Sequence, residues 1–352
     1  MKKVLMAAGG TGGHIYPAIS VAERLREKEV EVIFAGSKYR MEKKIVPQHK
    51  FPFFAFPIAR LSSIKGFFLF MISILKAVRL LKRERVDVVF GWGNYTMVPF
   101  LIAALICRKP YYLHEQNVDL GAANKLFYRF STKIFLSFDK TFDTLPIKYA
   151  DKFKIVGNPI RKEFYEVNYQ GAREKLEISE EERVVLVFGG SLGAKNLNDA
   201  VIGKIEQIEK SGVKFYFVVG RQLYDEVMKK IPTILKNVKI FDYISEMYTY
   251  MAAADLIMCR SGASTISELI VLDKPSILIP YDFVGQVQNA EVVAKQGAAY
   301  IYKNSEVNEA IDKALSIVLN PAVLKVMEKS LKELKHTDVV DKIIENLNIW
   351  RA

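Results

Sequence analysis

Apolar and polar positions along the chain fall into two successive series of short strands separated by helical stretches. The first opens with the mostly apolar run Lys2–Ala8 and continues through Glu31–Ala35, Val86–Phe90, Pro110–Leu113, Lys133–Phe138 and Phe153–Val156. Pro17 suits the first turn of a helix running to about Arg26. The second series runs through Arg183–Phe188, Val213–Val219, Val238–Tyr243, Leu256–Cys259 and Ser276–Ile279, and helices follow from about Ala322 to Trp350. Alternation of this kind predicts parallel sheets with helices on both faces. Each series carries a glycine turn after its first strand, Gly9-Gly10-Thr11-Gly12-Gly13 and Gly189-Gly190-Ser191-Leu192-Gly193. The expected architecture is α/β, two doubly wound Rossmann-like domains facing across a cleft, because such sheets bind ligands beyond the carboxyl ends of their strands. The polar stretch Arg161–Glu182 reads as the linker and the entry to the second domain. The expected domains are 1–160 and 161–335, with a last helix over 336–352 packing back on the first.

Two apolar regions resemble membrane spans. Val88–Cys107 is uncharged over about twenty residues, a spanning length. Gly91-Trp92-Gly93-Asn94 and Pro99 interrupt it, so a buried strand, a loop and a helix are expected. In Ser62–Arg85 the uncharged core Gly66–Leu75 is half the length needed. Placed on a helix at about 100° per residue, Phe67, Phe70, Met71, Ile74, Val78 and Leu81 fall on a side suited to a core. Lys65, Lys76, Arg79 and Arg83 share the other side with Phe68, Leu69 and Ile72. Cations beside exposed apolar groups suit an anionic membrane surface. An ordinary solvated basic face, with lysine stems over apolar neighbours, is the plainer alternative.

At 352 residues, half of them hydrophobic, the chain can fill two cores. Cys107 and Cys259 form no CxxC or disulfide framework, which fits a reducing compartment. The apolar run after Met1-Lys2-Lys3 ends at the glycines, too soon for a signal peptide. A net charge of +12 calls for an anionic partner. No helix-turn-helix, ribonucleoprotein or zinc-finger pattern points to nucleic acid.

Four glycines in five residues where a strand turns into a helix allow a close approach to the backbone. The helix N-terminus beyond offers N–H groups and a positive dipole end to an anion. His14 stands at that lip and can carry a proton near neutral pH. Neither glycine turn has the G-x-G-x-x-G spacing, no acid ends the second strand, and no G-x-x-x-x-G-K-[ST] occurs, so NAD and ATP are poor fits. Cys259-Arg260-Ser261-Gly262-Ala263-Ser264-Thr265-Ile266-Ser267-Glu268 also follows a strand and opens a helix, where small and hydroxyl residues suit a diphosphate. Glu268, about one and a half turns further in, can accept from two vicinal hydroxyls. His114-Glu115-Gln116-Asn117 follows another strand, and four polar side chains there are costly unless used. Gly157-Asn158-Pro159-Ile160-Arg161 puts a guanidinium at the domain junction. His49 and His336 read as surface residues, and Trp92 as packing.

GGTGGH, HEQN, GNPIR, GGSLGA, CRSGASTISE and the Gln-containing turn before Asn289-Ala290, in this order, resemble the MurG-type N-acetylglucosaminyltransferases of peptidoglycan synthesis over nearly the whole chain. The resemblance implies the GT-B fold and inverting transfer of GlcNAc from UDP-GlcNAc to the C4 hydroxyl of undecaprenyl-diphosphate-linked muramoyl-pentapeptide. It implies a peripheral enzyme at the cytoplasmic face of the cell membrane, in cell-wall biogenesis. Thr11, Gly12 and Gly13 would line the cleft near the donor, and Asn117 would contact the sugar. Arg161 and Ser191 would lie near the diphosphate, and Ile244 would meet the uracil through its backbone. Ala263, Ser264, Thr265, Ile266, Ser267 and Glu268 would hold phosphate and ribose, with Glu268 on the ribose hydroxyls and Gln286 reading the GlcNAc hydroxyls. His14 is the candidate base. No D-x-D pair is available for a divalent ion, so no metal or other cofactor is expected, and Arg161 or Arg260 with helix N-termini would stabilise the leaving UDP. Asn94, Leu192 and Gly285 depart from the family's usual glycine, glutamine, and histidine or glutamine. The alternatives are a transferase with another lipid acceptor such as diacylglycerol, and a UDP-GlcNAc 2-epimerase, which would want extra carboxylates in the cleft.

Overall fold

The computed structural model describes residues 2–58, 64–190, 193–231, 235–281 and 285–349. The chain divides into two compact units, 1–161 with 336–352, and 162–335. The first holds seven parallel strands: β1 (Lys3–Ala7), β2 (Glu31–Ser37), β3 (Phe53–Phe56), β4 (Val88–Gly91), β5 (Tyr111–Glu115), β6 (Lys133–Leu136) and β7 (Phe153–Ile155), in the order β3-β2-β1-β4-β5-β6-β7. Both faces of β1 are buried: Val4 and Met6 join one core cluster, Leu5 and Ala7 another. This is why the run reads as continuously apolar rather than alternating. The first cluster lies under α1 (Gly12–Glu27) and α2 (Glu42–Gln48), the second under α3 (Ile64–Arg83) and α4 (Val98–Ile106). The C-terminal helix Val339–Glu345 returns to α1, placing Val339, Ile343 and Ile344 in the first cluster. Arg24 Nε donates to Asp341 at 2.8 Å across that contact.

The second unit holds six parallel strands: β8 (Val184–Phe188), β9 (Lys214–Val218), β10 (Val238–Phe241), β11 (Leu256–Cys259), β12 (Ser276–Leu278) and β13 (Ala299–Ile301), in the order β10-β9-β8-β11-β12-β13. The helices Lys195–Gly203 and Val307–Val318 cover one face, packing on Val185, Val187, Phe215 and Met258.

The hydrophobic pattern does not mark β3 or β13. Both are short edge strands, β3 closed in by Pro52 and Pro57 and β13 largely exposed. Two expectations are corrected at element ends. α1 begins at Gly12, so Pro17 lies inside the helix rather than in its first turn. Thr11 is its N-cap, and Gly12, Gly13 and His14 form the first turn themselves. Strand β5 runs two residues beyond Leu113, so His114 and Glu115 belong to the strand, and only Gln116 and Asn117 follow it. Val88–Cys107 forms β4, a loop and α4 as expected. Among the described residues no helix is long and apolar enough to cross a membrane.

Candidate active site

In the first unit the order β2-β1-β4-β5 brings the turns after these four strands to one edge. The glycine turn after β1 rests on Glu42, a fully buried carboxylate at the start of α2. Its Oε2 accepts from Gly10 N at 3.0 Å and its Oε1 from Ser37 N at 2.8 Å. A Cβ on Gly9 would strike that carboxylate, so this glycine is required by close approach. Gly10, at φ 97°, packs against the side chain of Asn94. Asn94 itself stands at φ 69°, ψ 155°.

His14 is half-buried, with Nδ1 2.9 Å from Gln116 Oε1. Gln116 Nε2 donates to the Trp92 carbonyl at 3.4 Å and lies 3.1 Å from His114 Nδ1. His114 Nε2 lies 3.2 Å from the Gly157 carbonyl oxygen, and the ring stacks on Trp92 at 5.0 Å. Burial pushes the His114 imidazole down to about 3. Trp92 is fully buried, as a packing role requires. Glu115 is buried and spanned by donors: Asn117 N and Nδ2 to Oε1 at 3.0 and 3.2 Å, Gly121 N and Asn124 Nδ2 to Oε2 at 2.7 and 2.9 Å. This carboxylate braces its own turn. Asn117 is thereby oriented by Glu115, and the Arg161 guanidinium lies 5.2 Å from the Tyr16 ring centroid.

The second unit presents its own glycine turn, of which Ser191 and Leu192 lie outside the described residues. A Cβ on Gly193, at φ 79°, would strike the Val219 carbonyl. Ile244 is buried after β10. The helix Ala263–Val271 starts after β11 with Gly262 as N-cap. Ser264, Thr265 and Glu268 lie on its partly exposed side. Ile266 is fully buried, and Ser267 Oγ donates back to the Ala263 carbonyl at 3.0 Å. Side chains at those two positions pack into the unit, since residues three and four apart share a helix face. Ala263 is buried with them.

Arg260 is 5% exposed. Its Nη1 donates to the Ile279 carbonyl at 2.8 Å and to Asn304 Oδ1 at 2.6 Å, and its guanidinium lies 4.1 Å from the Tyr281 ring centroid. It braces the segment after β12 rather than presenting an open cation. Gln286 Oε1 accepts from Tyr281 N at 3.1 Å, and Ser261 Oγ donates to the Gln286 carbonyl at 2.8 Å. Gly285 is left-handed at φ 68°, which accounts for a glycine at this position. Cys259 is buried, and burial raises its thiol. Among the described residues no group of three or more His, Cys, Asp or Glu could hold a metal ion.

α3 packs against α4, and its buried residues are Gly66, Ser73, Ile74, Ala77, Leu80 and Leu81. Phe67 and Met71, expected in the core, are exposed, and Leu69, expected outside, is half-buried. Ile64, Phe67, Phe68, Met71, Ile72 and Leu75 form an outward apolar surface, each between 42% and 80% exposed. Lys65, Lys76, Arg79 and Arg83 are exposed beside them. The first half of the helix is apolar nearly all round, so periodicity does not fix its phase; the small residues Gly66, Ser73 and Ala77 do. His49 and His336 are partly exposed and each has a neighbour: His49 Nδ1 lies 3.0 Å from Glu23, and His336 packs over Gly157, 3.6 Å from Asp139.

Residues 4–136 match the glycosyltransferase family 28 N-terminal domain and residues 184–343 its C-terminal domain. A UDP-N-acetylglucosamine--N-acetylmuramyl-(pentapeptide) pyrophosphoryl-undecaprenol N-acetylglucosamine transferase from Fusobacterium nucleatum is 42% identical over 354 residues, covering 100% of this chain and 99% of the relative. The chain belongs to the MurG-type N-acetylglucosaminyltransferases. Acinetobacter baumannii MurG superposes with a TM-score of 0.80 at 24% identity, covering 98% of this chain and 99% of that one. The two sheets and this likeness give the GT-B fold. A UDP-GlcNAc 2-epimerase from Neisseria meningitidis bound to UDP-GlcNAc has a TM-score of 0.69 at 15% identity, covering 97% of this chain and 98% of that one. The fold is therefore shared by epimerases and does not by itself select a reaction. Gln116, Glu42 and Asn304 are the site residues that sequence reading misses. The HEQN stretch flags Gln116 only as an uncompensated polar group, and nothing local marks the other two.

Proposed function

We propose that this chain transfers GlcNAc from UDP-GlcNAc to the C4 hydroxyl of undecaprenyl-diphosphate-linked muramoyl-pentapeptide, with inversion, in peptidoglycan synthesis. The observation that carries this reading is the 42% identity to the Fusobacterium nucleatum transferase along the full length. In the reaction His14 Nε2 takes the proton of the acceptor hydroxyl as its oxygen attacks the sugar's anomeric carbon. The bond from that carbon to the diphosphate breaks, and its electron pair leaves on the UDP oxygen. A base of this kind contributes roughly 10²–10⁴-fold, so His14→Ala lowers kcat by that order without abolishing turnover.

The donor belongs to the second unit. Ser264 and Thr265 at the helix N-terminus hold the diphosphate, Glu268 accepts from the ribose hydroxyls, Ile244 meets the uracil through its backbone, and Gln286 turns from Tyr281 to the sugar hydroxyls. Ser191 joins the diphosphate, with Arg260 acting through the segment it braces. In the first unit Thr11, Gly12, Gly13 and Asn117 serve the transferred sugar, and Arg161 serves phosphate oxygens. The exposed apolar surface of α3 and its basic flank rest on an anionic membrane at the cytoplasmic face, where the lipid acceptor stays in the bilayer.

The deciding experiment follows label from radioactive UDP-GlcNAc in detergent with two acceptors, the muramoyl-pentapeptide lipid and diacylglycerol. Label in the muramoyl lipid supports the proposal. Label in diacylglycerol overturns the acceptor, and UDP-ManNAc without transfer overturns the reaction. The epimerase reading gains nothing from Glu115, whose oxygens both brace the turn.

A further inference from the structure

The polar chain behind His14 has two ends that can only accept. The Trp92 carbonyl faces the nitrogen of the Gln116 amide at 3.4 Å, and the Gly157 carbonyl faces His114 Nε2 at 3.2 Å. A carbonyl oxygen has no proton to give. Each end therefore fixes the group it meets as a donor.

From Gly157, His114 Nε2 carries the proton, so the neutral His114 ring has a lone pair on Nδ1. That lone pair needs a donor, which the Gln116 amide nitrogen supplies at 3.1 Å. From Trp92, the same nitrogen is independently required to be the donor. The two requirements agree, and they leave Gln116 Oε1 pointing at His14 Nδ1, 2.9 Å away. An amide oxygen only accepts, so His14 carries its proton on Nδ1. His114 is fully buried and stays neutral through the working pH range, because burial disfavours its cation.

We infer that Gln116, held by His114 and the Trp92 and Gly157 carbonyls, is a positioning residue that locks His14 in the Nδ1–H tautomer and leaves Nε2 as the proton acceptor. The inference rests on His14 being the base of the transfer. The second ring nitrogen of a functional histidine usually has such a partner, and that partner decides which nitrogen works. Here the partner is a neutral amide, which fixes the tautomer without becoming a proton acceptor itself.

The test uses full-length protein labelled with ¹⁵N-histidine, in which only four histidines must be assigned. At a pH where His14 is neutral, its shifts are expected to show a protonated Nδ1 and an unprotonated Nε2. Gln116→Leu removes the acceptor and is expected to return His14 to a mixture of tautomers. It should lower kcat at least about 10-fold, a part of the roughly 10²–10⁴-fold that a general base contributes, with KM for UDP-GlcNAc little changed. Gln116→Glu keeps an acceptor for Nδ1–H but gives up the donor that the Trp92 carbonyl and His114 Nδ1 require; it is expected to retain the Nδ1–H tautomer of His14, which separates the tautomer effect from loss of those donor contacts. Protonation of Nε2 in the wild type overturns the inference, as does a Gln116→Leu protein with unchanged tautomer and kcat. If His14→Ala leaves kcat intact while the Nδ1–H tautomer is observed, the base assignment fails and the relay geometry stands.

Discussion

Asn94 occupies backbone angles, φ 69° and ψ 155°, that essentially only glycine adopts without steric cost. The family's usual residue at this position is glycine, so one substitution has left strain of about 1–3 kcal/mol beside the glycine turn. Asn94→Gly is expected to raise stability by roughly 1 kcal/mol, the relief being partly offset by the extra chain entropy of glycine. A urea midpoint that falls instead would mean the contact with Gly10 outweighs the strain. His114 carries a second residue-scale prediction. Its folded-state value of about 3 lies below the ordinary 6.5. Between those values the unfolded chain binds a proton that the folded chain does not, so stability falls as pH drops through the window. The slope is about 1.4 kcal/mol per pH unit from this one group. His114→Asn removes that component, and urea titrations at several pH values will show a shallower acid slope. An unchanged slope would place the acid sensitivity elsewhere.

Among the elements, α2 matters for its first residue more than its length. Glu42 satisfies the N–H groups of Gly10, in the turn after β1, and of Ser37, at the end of β2. Leaving two buried donors unpaired costs about 1–3 kcal/mol each. Glu42→Ala is therefore expected to destabilise by about 2–6 kcal/mol and to loosen the glycine turn, lowering kcat with it. α3 makes a different prediction. Replacing Phe68 and Leu75 with serine exposes no core, because both face outward. Each large apolar side chain contributes about 1.5–3 kcal/mol on burial, so sedimentation with anionic vesicles should weaken by 10-fold or more, while turnover of acceptor in detergent is retained. Equal vesicle binding by the variant would remove α3 from the membrane contact. The phase of this helix was illegible locally, since apolar residues occupy nearly every direction around its first half.

For the molecule as a whole, the two units offer separate readouts. Residues 162–335 include no tryptophan, and Trp92 is fully buried in the other unit. Tryptophan fluorescence therefore does not report unit 162–335, while heat capacity reports both units. If the donor belongs to unit 162–335, UDP at 100 times its Kd should stabilise that unit by about 2.7 kcal/mol and leave the tryptophan-detected transition in place. A shift of the tryptophan signal alone would move the donor site to the other unit. The sequence by itself determined the two parallel sheets, the glycine turns at their first strands and a helix N-terminus within Cys259–Glu268. Each is written in short-range periodicity or in backbone requirements within a few residues. Tertiary structure alone decided that Glu42 lies under Gly10, 32 positions away, and that Gln116 meets His14 across 102. It also decided that Arg260 turns to Asn304. The first two contacts depend on the order β2-β1-β4-β5 and the third on β11-β12-β13, each of which gathers segments from distant strands at one edge, and strand order leaves no mark on any single stretch of chain.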